Sequence, residues 1–242
     1  MISEKISQYW RVSVVEVTGS TQDDLAQSVA NKKAVSGDVI ATEFQSAGRG
    51  RLDRKFEAAP SSALMFSFYI EPDRDKSEWS FLPLLTGLSA IFTLVEIDAA
   101  SAPALKWPND ILLGEGKVGG IIAQVSGEGL VIGVGINVAM SEAELPVAHA
   151  TSLALHSFTH LDRNEILATF LNTFEDLLDR WQKGEDLRHL YCERSATIGR
   201  AVKIEHPDGS SSNGKAMGIT PAGELILEDG SRVTVGDVVH LR

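Results

Sequence analysis

The glycine-punctuated stretch from residue 105 to residue 138 constrains the fold more than any other part of the sequence. It contains three short segments rich in apolar residues, namely LKWPNDILL (105–113), VGGIIAQV (118–125) and LVIGVGINV (130–138). Each gap between them holds two glycines, which favour tight turns because glycine readily adopts positive φ. Segments of this length between turns are typical of strands, so the stretch predicts an antiparallel meander.

The flanking residues predict further strands and three long helices. Runs rich in β-branched and apolar residues predict strands at 11–17, 37–44 and 63–70. Apolar residues at helical spacing predict helices over 20–33, 79–97 and 162–183. Ser20 is a suitable N-cap for the first helix, and Pro83 is tolerated in the first turn of the second. The combination predicts an α+β fold, in which helices pack against a mixed, largely antiparallel sheet.

The character of the sequence changes near residue 196. From about Ile198 onward, short strand-like runs alternate with turn sequences such as HPDG and TPAG. This spacing is typical of a small β-barrel of about five strands. We therefore expect two domains, 1–195 and 196–242.

The charge and composition of the chain argue against several classes of function. Its 242 residues include 33 Asp and Glu but 22 Lys and Arg, which gives a net charge of −11 at pH 7. Such a field repels phosphate, which argues against broad binding to DNA, RNA or an anionic membrane. The apolar stretches look shorter than the ~20 residues needed to span a bilayer, so no membrane protein is expected. The single cysteine, Cys192, and the lack of a secretory leader predict a cytoplasmic protein.

The segment GRGRLDRK (48–55) concentrates positive charge in this acidic chain. Gly48 and Gly50 let backbone N–H groups approach an anion closely, and arginine donates paired hydrogen bonds to phosphate oxygens. The segment therefore suits a phosphate-binding loop, although a solvated basic surface loop would have the same composition. Its spacing is not that of a Walker loop, so the phosphate interpretation needs a second anchor.

KWPND (106–110) and Lys117 supply that second anchor. Pro108 interrupts the strand and places Asp110 near a turn or a sheet edge, where a carboxylate beside phosphate oxygens can help to hold Mg²⁺. Lys117 follows the glycines of GEGK and can place an ammonium group at a phosphate. A simple turn would explain PND equally well.

No pattern in the sequence indicates covalent catalysis. His156 and His160 lack a third metal ligand at a recognisable spacing, and there is no Ser-His-Asp arrangement or activated cysteine. Ser20 and Thr21 can cap a helix whether or not they also contact a ligand. The sequence therefore predicts that the protein acts by positioning a nucleotide and stabilising its charge, rather than by covalent catalysis.

Four motifs together resemble one protein family. They are GSTQDD (19–24), EFQSAGRGRLDRKF (43–56), KWPNDILLGEGKVGGI (106–121) and GVGINV (133–138). Each is weak alone, but their order and spacing resemble those of the bacterial biotin–protein ligases, most strongly over residues 12–140. The resemblance implies a class II synthetase-like catalytic core. The C-terminal tail resembles, more loosely, the small SH3-like β-barrel domain of that family.

The resemblance implies an ATP-dependent, AMP-forming ligase. Biotin and ATP would react, with Mg²⁺ present, to biotinyl-5′-AMP and pyrophosphate, and biotin would then pass to a lysine of a biotin carboxyl carrier protein domain. Family members occur as monomers and as homodimers. Only 10 residues precede the first predicted strand, too few for the DNA-binding domain that some members carry. We therefore expect a short form without repressor activity and without a DNA, RNA or membrane partner.

The resemblance also implies roles for individual residues. Arg51 and Lys117 would be the catalytic cations at the α-phosphate, with Arg54 holding phosphate or ordering the loop. Phe56 and Asn137 would contact the nucleotide, Asn137 at the adenine edge. The biotin-binding residues would be Ser20, Thr21, Gln22, Gln45, Gly48, Arg49 and Gly120, and the metal-binding carboxylate would be Asp110.

Three features depart from the family pattern. Gln22 stands where Asn is usual, Phe56 replaces a Trp, and Leu52-Asp53 replaces Arg-Gly. Gln is one methylene longer than Asn, and Phe is a smaller ring without an indole N–H. We expect altered affinity or loop order rather than lost activity.

Two other functions remain open from the residues. One is a lipoate or octanoate ligase or transferase built on the same core, which would not explain GRGR together with KWPND. The other is a non-catalytic protein that binds a carrier domain or a small ligand. Such a protein would not need Arg51 and Lys117 together.

Overall fold

The computed structural model describes residues 6–52 and 54–241. Its larger part is a seven-stranded sheet with the order β1-β2-β3-β7-β6-β5-β4. The strands are β1 (Arg11–Thr18), β2 (Asp38–Gln45), β3 (Ala63–Ile70), β4 (Pro103–Lys106), β5 (Asp110–Leu113), β6 (Gly116–Ser126) and β7 (Gly129–Asn137). β1 and β2 are parallel and the other neighbouring pairs are antiparallel, which confirms the mixed, largely antiparallel sheet.

The meander predicted for residues 105–138 is present, but it is entered through a hairpin. Residues 105–113 form most of the β4–β5 hairpin, whose turn is made by residues 107–109. Pro108 in this turn has no N–H for a ladder and a fixed φ, so a single strand cannot run through it. The interruption predicted at Pro108 is therefore present, and it is a complete reversal that makes residues 105–113 parts of two strands rather than one.

Four helices accompany this sheet in the described residues. They are α1 (Thr21–Ala30), α2 (Leu82–Ile97), α3 (Arg163–Gln182) and α4 (Arg188–Arg194). The first three were predicted, although α1 ends three residues earlier than expected. The α-helix predicted from Trp79 begins only at Leu82, because a 3-10 turn occupies Lys76–Phe81. Helix α4, with 7 residues, is too short to show a periodicity and was not predicted.

Side chains of β3 alternate between two cores. On one face the ring of Phe68 contacts that of Phe174 in α3, with the ring centroids 4.7 Å apart. On the other face Tyr69 packs with Leu25 of α1. Because successive residues of a strand point to opposite faces, α1 and α3 cover opposite sides of the sheet.

The stretch Lys76–Ile97 is long and apolar enough to cross a membrane by length and composition, which the sequence analysis did not anticipate. In the structure, however, 67% of its most apolar window of 18 residues is buried inside the protein. Leu85, Leu88 and Ile91 are completely enclosed by the main core. The stretch therefore acts as the central helix of the fold.

The residues after α4 form a five-stranded sheet with the order β11-β10-β9-β8-β12. The strands are β8 (Ala201–Glu205), β9 (Ser211–Ile219), β10 (Leu225–Leu227), β11 (Arg232–Val233) and β12 (Asp237–His240). The recorded pairs are all antiparallel, and the number of strands agrees with the prediction.

This smaller sheet contacts the larger one at the β4–β5 turn. The backbone N–H of Trp107 donates to Oγ1 of Thr197 at 3.1 Å, and its indole N–H donates to the carbonyl of Gly223 at 3.0 Å. The N–H of Ala196 donates to the carbonyl of Leu105 at 2.7 Å. Trp107 is buried as a result, and the smaller sheet lies directly beside the KWPND segment.

Candidate active site

Glycines form a floor on the α1 side of the larger sheet. Gly135 of β7 lies opposite Gly120 of β6, and Gly133 points to the same side two residues earlier. A Cβ on Gly135 would lie 2.6 Å from the ring of Phe56, and a Cβ on Gly133 would lie 2.6 Å from Oε1 of Gln22. Phe56 therefore packs onto the floor at Gly135 and Gln22 packs onto it at Gly133, and at both points only glycine leaves enough room.

The first turn of α1 brings several predicted biotin-binding residues together. Ser20 caps the helix by accepting a hydrogen bond from the N–H of Asp23. The N–H of Thr21 donates to Oε1 of Gln45 at 2.8 Å, and Oγ1 of Thr21 lies 2.8 Å from Oγ of Ser67. The start of α1, the end of β2 and the middle of β3 thus meet in one polar cluster.

Gln22 completes this polar cluster. Its Nε2 donates to the carbonyl of Val131 at 2.9 Å, and its Oε1 accepts from Oγ of Ser67 at 3.3 Å. The side chain is only 2% exposed. The sequence analysis missed Ser67, although a serine in the middle of the apolar strand ALMFSFYI (63–70) is a detectable signal.

The arginine-rich segment 48–55 forms a short loop beside this cluster. A β-bridge pairs Arg49 with Lys55 and closes the loop at its base. Leu52 has a φ of 52°, in the left-handed region that L-residues rarely adopt. Asp53, whose charge was expected to alter the loop, lies outside the described residues.

Arg51 reaches from this loop to the β4–β5 turn. Its Nη1 donates to Oδ1 of Asn109 at 3.1 Å, and it lies 3.9 Å from Oδ1 of Asp237. Burial lowers the pKa of Arg51, and the charges of Asp237 and Asp110 oppose this effect. The group stays charged because an arginine guanidinium is not deprotonated in proteins. Arg51 is therefore a partly desolvated cation, well suited to binding an anion.

The other two arginines of the loop pair with carboxylates. Arg49 forms an ion pair with Asp23 of α1 at 2.6 Å, and Arg54 forms one with Asp237 of β12. The sequence analysis missed Asp237, which stands 183 residues from Arg54 along the chain. No local pattern marks it, because only the folding of the smaller sheet against the larger brings it to the loop.

Lys117, Asp110 and Gly120 share one corner of the sheet. Nζ of Lys117 forms an ion pair with Oδ1 of Asp110, which lies opposite Gly120 in the β5–β6 ladder. A Cβ on Gly120 would lie 3.4 Å from Nζ of Lys117. Asn109 fixes this corner, since its Nδ2 donates to the carbonyl of Ile121 and its own carbonyl accepts the Ile121 N–H, both at 3.0 Å.

Asn137 lies apart from these groups, at the end of β7. Its Nδ2 donates to the carbonyl of Thr151 at 2.8 Å, and its side chain is buried. A cavity of about 560 Å³ adjoins Thr151 and is lined by Pro146, Val147 and Leu155. Glu142 also lines this cavity, so its wall is mixed polar and apolar, and Asn137 adjoins it through Thr151.

A second cavity, of about 780 Å³, connects the polar cluster, the loop and the β4–β5 turn. This volume is in the range of sites for small molecules. Its lining includes Gln22, Gly48, Arg49, Arg51, Arg54 and Asn109. Among the other predicted residues, Lys117 and Gly120 adjoin Asn109, whereas Asn137 lies at the smaller cavity.

The arrangement is suited to binding and polarising an anion. Arg51 and Lys117 supply positive charge near Asn109, while the amide of Gln22 lines the same cavity, with the buried hydroxyls of Thr21 and Ser67 behind it. Within residues 6–52 and 54–241, no three His, Cys, Asp or Glu side chains form a group that could hold a metal ion. Oδ1 of Asp110 pairs with Lys117, so Oδ2 of Asp110 is the oxygen left for a Mg²⁺ that is otherwise held by phosphate.

Two family models match the chain. The Biotin/lipoate A/B protein ligase family matches residues 14–141, and the Biotin protein ligase C terminal domain matches residues 197–241. The biotin–[acetyl-CoA-carboxylase] ligase of Mycobacterium tuberculosis is 36% identical over 241 residues, which cover 96% of this chain and 90% of that protein. The bifunctional ligase/repressor BirA of Escherichia coli is 30% identical over 235 residues, covering 90% of this chain and 69% of that protein.

Solved structures share the same fold. The biotin protein ligase from Aquifex aeolicus in complex with biotin and ATP has a TM-score of 0.82 and 28% sequence identity, covering 96% of this chain and 99% of that chain. The similarity therefore extends over both sheets. The polar cluster, the arginine loop and the β4–β5 corner all fall within the residues that the first family model matches.

Proposed function

The chain belongs to the biotin/lipoate A/B protein ligase family and is a biotin protein ligase, and from that premise we propose a two-step mechanism for its own residues. In the first step a carboxylate oxygen of biotin attacks the α-phosphorus of ATP, and the bond to the β-phosphate oxygen breaks. The products are biotinyl-5′-AMP and pyrophosphate. In the second step a lysine amine of a biotin carboxyl carrier protein domain attacks the acyl carbon, AMP leaves and the amine loses a proton.

Arg51 and Lys117 are the proposed catalytic residues of the first step. Negative charge on the phosphate oxygens increases as the biotin oxygen attacks, and fixed cations in a partly desolvated site stabilise it. Asn109 holds the Arg51 guanidinium through a neutral oxygen, which leaves its charge available to the phosphate. Asp110 restrains the Lys117 ammonium at the neighbouring corner.

The polar cluster is the proposed site of the biotin ring system. The ureido group of biotin has two N–H donors and a carbonyl acceptor, and the hydroxyl and amide groups of the cluster can satisfy both kinds. The proposed contacts are Ser20, Thr21, Gln22, Gln45, Gly48 and Arg49. The missing side chain of Gly120 leaves room for the acid chain that leads from the ring toward Lys117.

The proposed nucleotide site continues from the cations toward Asn137. The amide of Asn137 and the cavity beside Thr151 are the proposed contacts of the adenine, while Phe56 offers an aromatic ring above Gly135. Mg²⁺ bound with ATP would neutralise part of the phosphate charge, with Asp110 as the residue that would help to hold it. Oδ2 of Asp110 is the oxygen that we expect to face it.

The arginine loop has a proposed second role as a cover. Biotinyl-5′-AMP is a mixed anhydride that water would hydrolyse, so a loop over the cavity protects it until the carrier lysine arrives. Arg54, anchored to Asp237, would keep the loop in place. We expect the reaction to take place in the cytoplasm.

The observation that carries this mechanism is the joint placement of Arg51, Asn109 and Gln22 around one cavity. A second candidate substrate is lipoate, because the matching family model covers ligases for both acids. The polar cluster favours biotin, since the dithiolane ring of lipoate has no hydrogen-bonding groups to satisfy it.

ATP–pyrophosphate exchange by the purified chain tests the proposal, with biotin, with lipoate and with neither acid. Exchange that requires biotin supports adenylate formation as described. Exchange with lipoate instead would assign the chain to the other substrate of the family. No exchange with either acid, from protein shown to be folded by circular dichroism, would contradict the mechanism.

A further inference from the structure

The side chain of Gln22 separates the cavity from the glycine floor. Gln22 lines the cavity, while Gly133 and Ser67 lie beneath it and are buried. The carboxamide lies so close to Gly133 that a Cβ there would be 2.6 Å from its Oε1. The floor at this point is therefore accessible only if Gln22 is shortened or moved.

Hydrogen bonds hold the Gln22 carboxamide at both ends. Its Nε2 donates to the carbonyl of Val131 in β7, and its Oε1 accepts from the hydroxyl of Ser67 in β3. Both partners belong to the central strands of the larger sheet, which are buried along their whole length. A side chain fixed in this way acts as a rigid surface, because any rotation leaves buried polar groups unpaired.

We infer that the carboxamide of Gln22 is the end wall of the acid-binding cavity and sets the size of the ring system that the enzyme accepts. This inference rests on the proposed function, because it assumes that the biotin ring lies against the polar cluster. It goes further in naming one residue as the determinant of substrate size.

Shortening Gln22 by one methylene is expected to deepen the cavity. In Gln22→Asn the amide ends nearer to α1, so it no longer covers Gly133 or reaches Val131. One methylene in an enclosed site changes discrimination between substrates by about tenfold or more. The variant should therefore accept a bulkier ring better than the natural protein does, relative to biotin.

Gly133 provides a reciprocal test from below the wall. In Gly133→Ala the new methyl group collides with the Gln22 carboxamide and pushes it into the cavity. The methyl would also lie 3.1 Å from Cγ1 of Ile122 and 3.2 Å from Oγ of Ser67, so these neighbours must shift slightly. Combining Gly133→Ala with Gln22→Asn removes the main collision, which predicts recovery in the double variant.

The experiment compares kcat/KM of pyrophosphate exchange with three acids: biotin, biotin sulfone, whose sulfur carries two oxygens, and the smaller desthiobiotin. For Gln22→Asn we expect the ratio of sulfone to biotin to rise about tenfold. For Gly133→Ala we expect the activity with biotin to fall at least about tenfold, with recovery of most of it in the double variant. Desthiobiotin should be the acid least affected by Gly133→Ala.

Gln27→Asn is the matched control, because it makes the same chemical change at an exposed position of the same helix. Its selectivity should equal that of the natural protein. Thermal unfolding of each variant separates loss of fold from loss of selectivity. An unchanged sulfone-to-biotin ratio in folded Gln22→Asn, or no recovery in the double variant, would overturn the inference. Absence of biotin-dependent exchange in the natural protein would instead contradict the proposed function itself.

Discussion

The guanidinium of Arg51 meets the carboxamide oxygen of Asn109 at 3.1 Å, closer than its 3.9 Å approach to the carboxylate of Asp237. Asn109 in turn is fixed to β6 by two hydrogen bonds with Ile121. An amide orients the cation without neutralising it, whereas a carboxylate at this position would compete with phosphate for its charge. The proposed catalytic cation is thus aligned by a neutral residue of the β4–β5 turn.

Replacing Asn109 is expected to impair adenylate formation. Asn109→Ala removes the acceptor for Arg51, and a misplacement of about 1 Å in a catalytic group reduces rates roughly a hundredfold. Asn109→Asp keeps an oxygen in place but adds a charge that pairs with Arg51, so kcat/KM for ATP should again fall about tenfold or more. Pyrophosphate exchange measures this effect, while biotin binding measured by calorimetry should change little. Equal exchange rates in all three proteins would show that Arg51 needs no such support.

Removing the carboxylate of Asp237 is expected to loosen the arginine loop. In Asp237→Asn, Arg54 loses its ion pair, and such exposed pairs contribute about 0.5 to 1 kcal/mol. Without ligands, trypsin should therefore cut the loop about two- to fivefold faster than in the natural protein. Asp186→Asn is the control, since Asp186 pairs with Arg188 in a different part of the chain. Identical cleavage of Asp237→Asn and the natural protein would mean that the pair does not hold the loop.

Adding a methyl group to the glycine floor is expected to displace Phe56. In Gly135→Ala the Cβ would lie 2.6 Å from the Phe56 ring, and overpacking of this kind costs about 1 to 3 kcal/mol. We expect weaker nucleotide binding and a lower Tm, measured by calorimetry and by thermal unfolding. Gly218→Ala in β9 is the control, because nothing lies within 4 Å of its new Cβ. Adding Phe56→Leu to Gly135→Ala should restore part of the lost stability, and a failure to do so would locate the strain elsewhere.

The stability of the protein is expected to depend on His240. Burial lowers the pKa of His240 below the ordinary 6.5, and the charges of Lys106 and Arg200 act in the same direction. The unfolded chain therefore binds a proton at this histidine more readily than the folded one, so its contribution to stability is lost as the pH falls below 6.5. Urea unfolding at pH 7.5 and pH 5.5 should show a smaller loss on acidification for His240→Asn than for the natural protein. Parallel losses in both proteins would contradict the assignment.

Local patterns in the sequence predicted most of the secondary structure. A continuous apolar run marks a buried strand and apolar residues at helical spacing mark a helix, so β3 and α3 were found with ends correct to within one residue. Pro108 indicated an interruption, but the two strands of 4 residues on either side of it are too short to show a period, so the hairpin itself was not predicted. The stretch Lys76–Ile97 was not recognised as long and apolar enough to cross a membrane, because small polar residues interrupt its apolar ones.

The site was only partly predictable for a different reason. The motifs of the family indicated Arg51, Lys117 and Gln22, since each lies within a recognisable run of residues. They could not indicate Ser67 or Asp237, whose roles arise from contacts with residues far away in the sequence. Nor could spacing alone show that Gln22 of α1 covers Gly133 of β7. Such relationships depend on the register of the sheet, which no single segment encodes.

The smaller sheet supports both sides of the proposed phosphate site. Trp107, beside the turn on one side, is bound to Thr197 and Gly223, while Arg51 and Arg54 on the other side approach Asp237. Because the β4–β5 turn and the arginine loop are both attached to the same sheet, a small rigid movement of that sheet shifts them together and leaves the distance between them unchanged. The enzyme should therefore tolerate small rigid movements of its C-terminal sheet, yet lose its alignment abruptly once that sheet detaches.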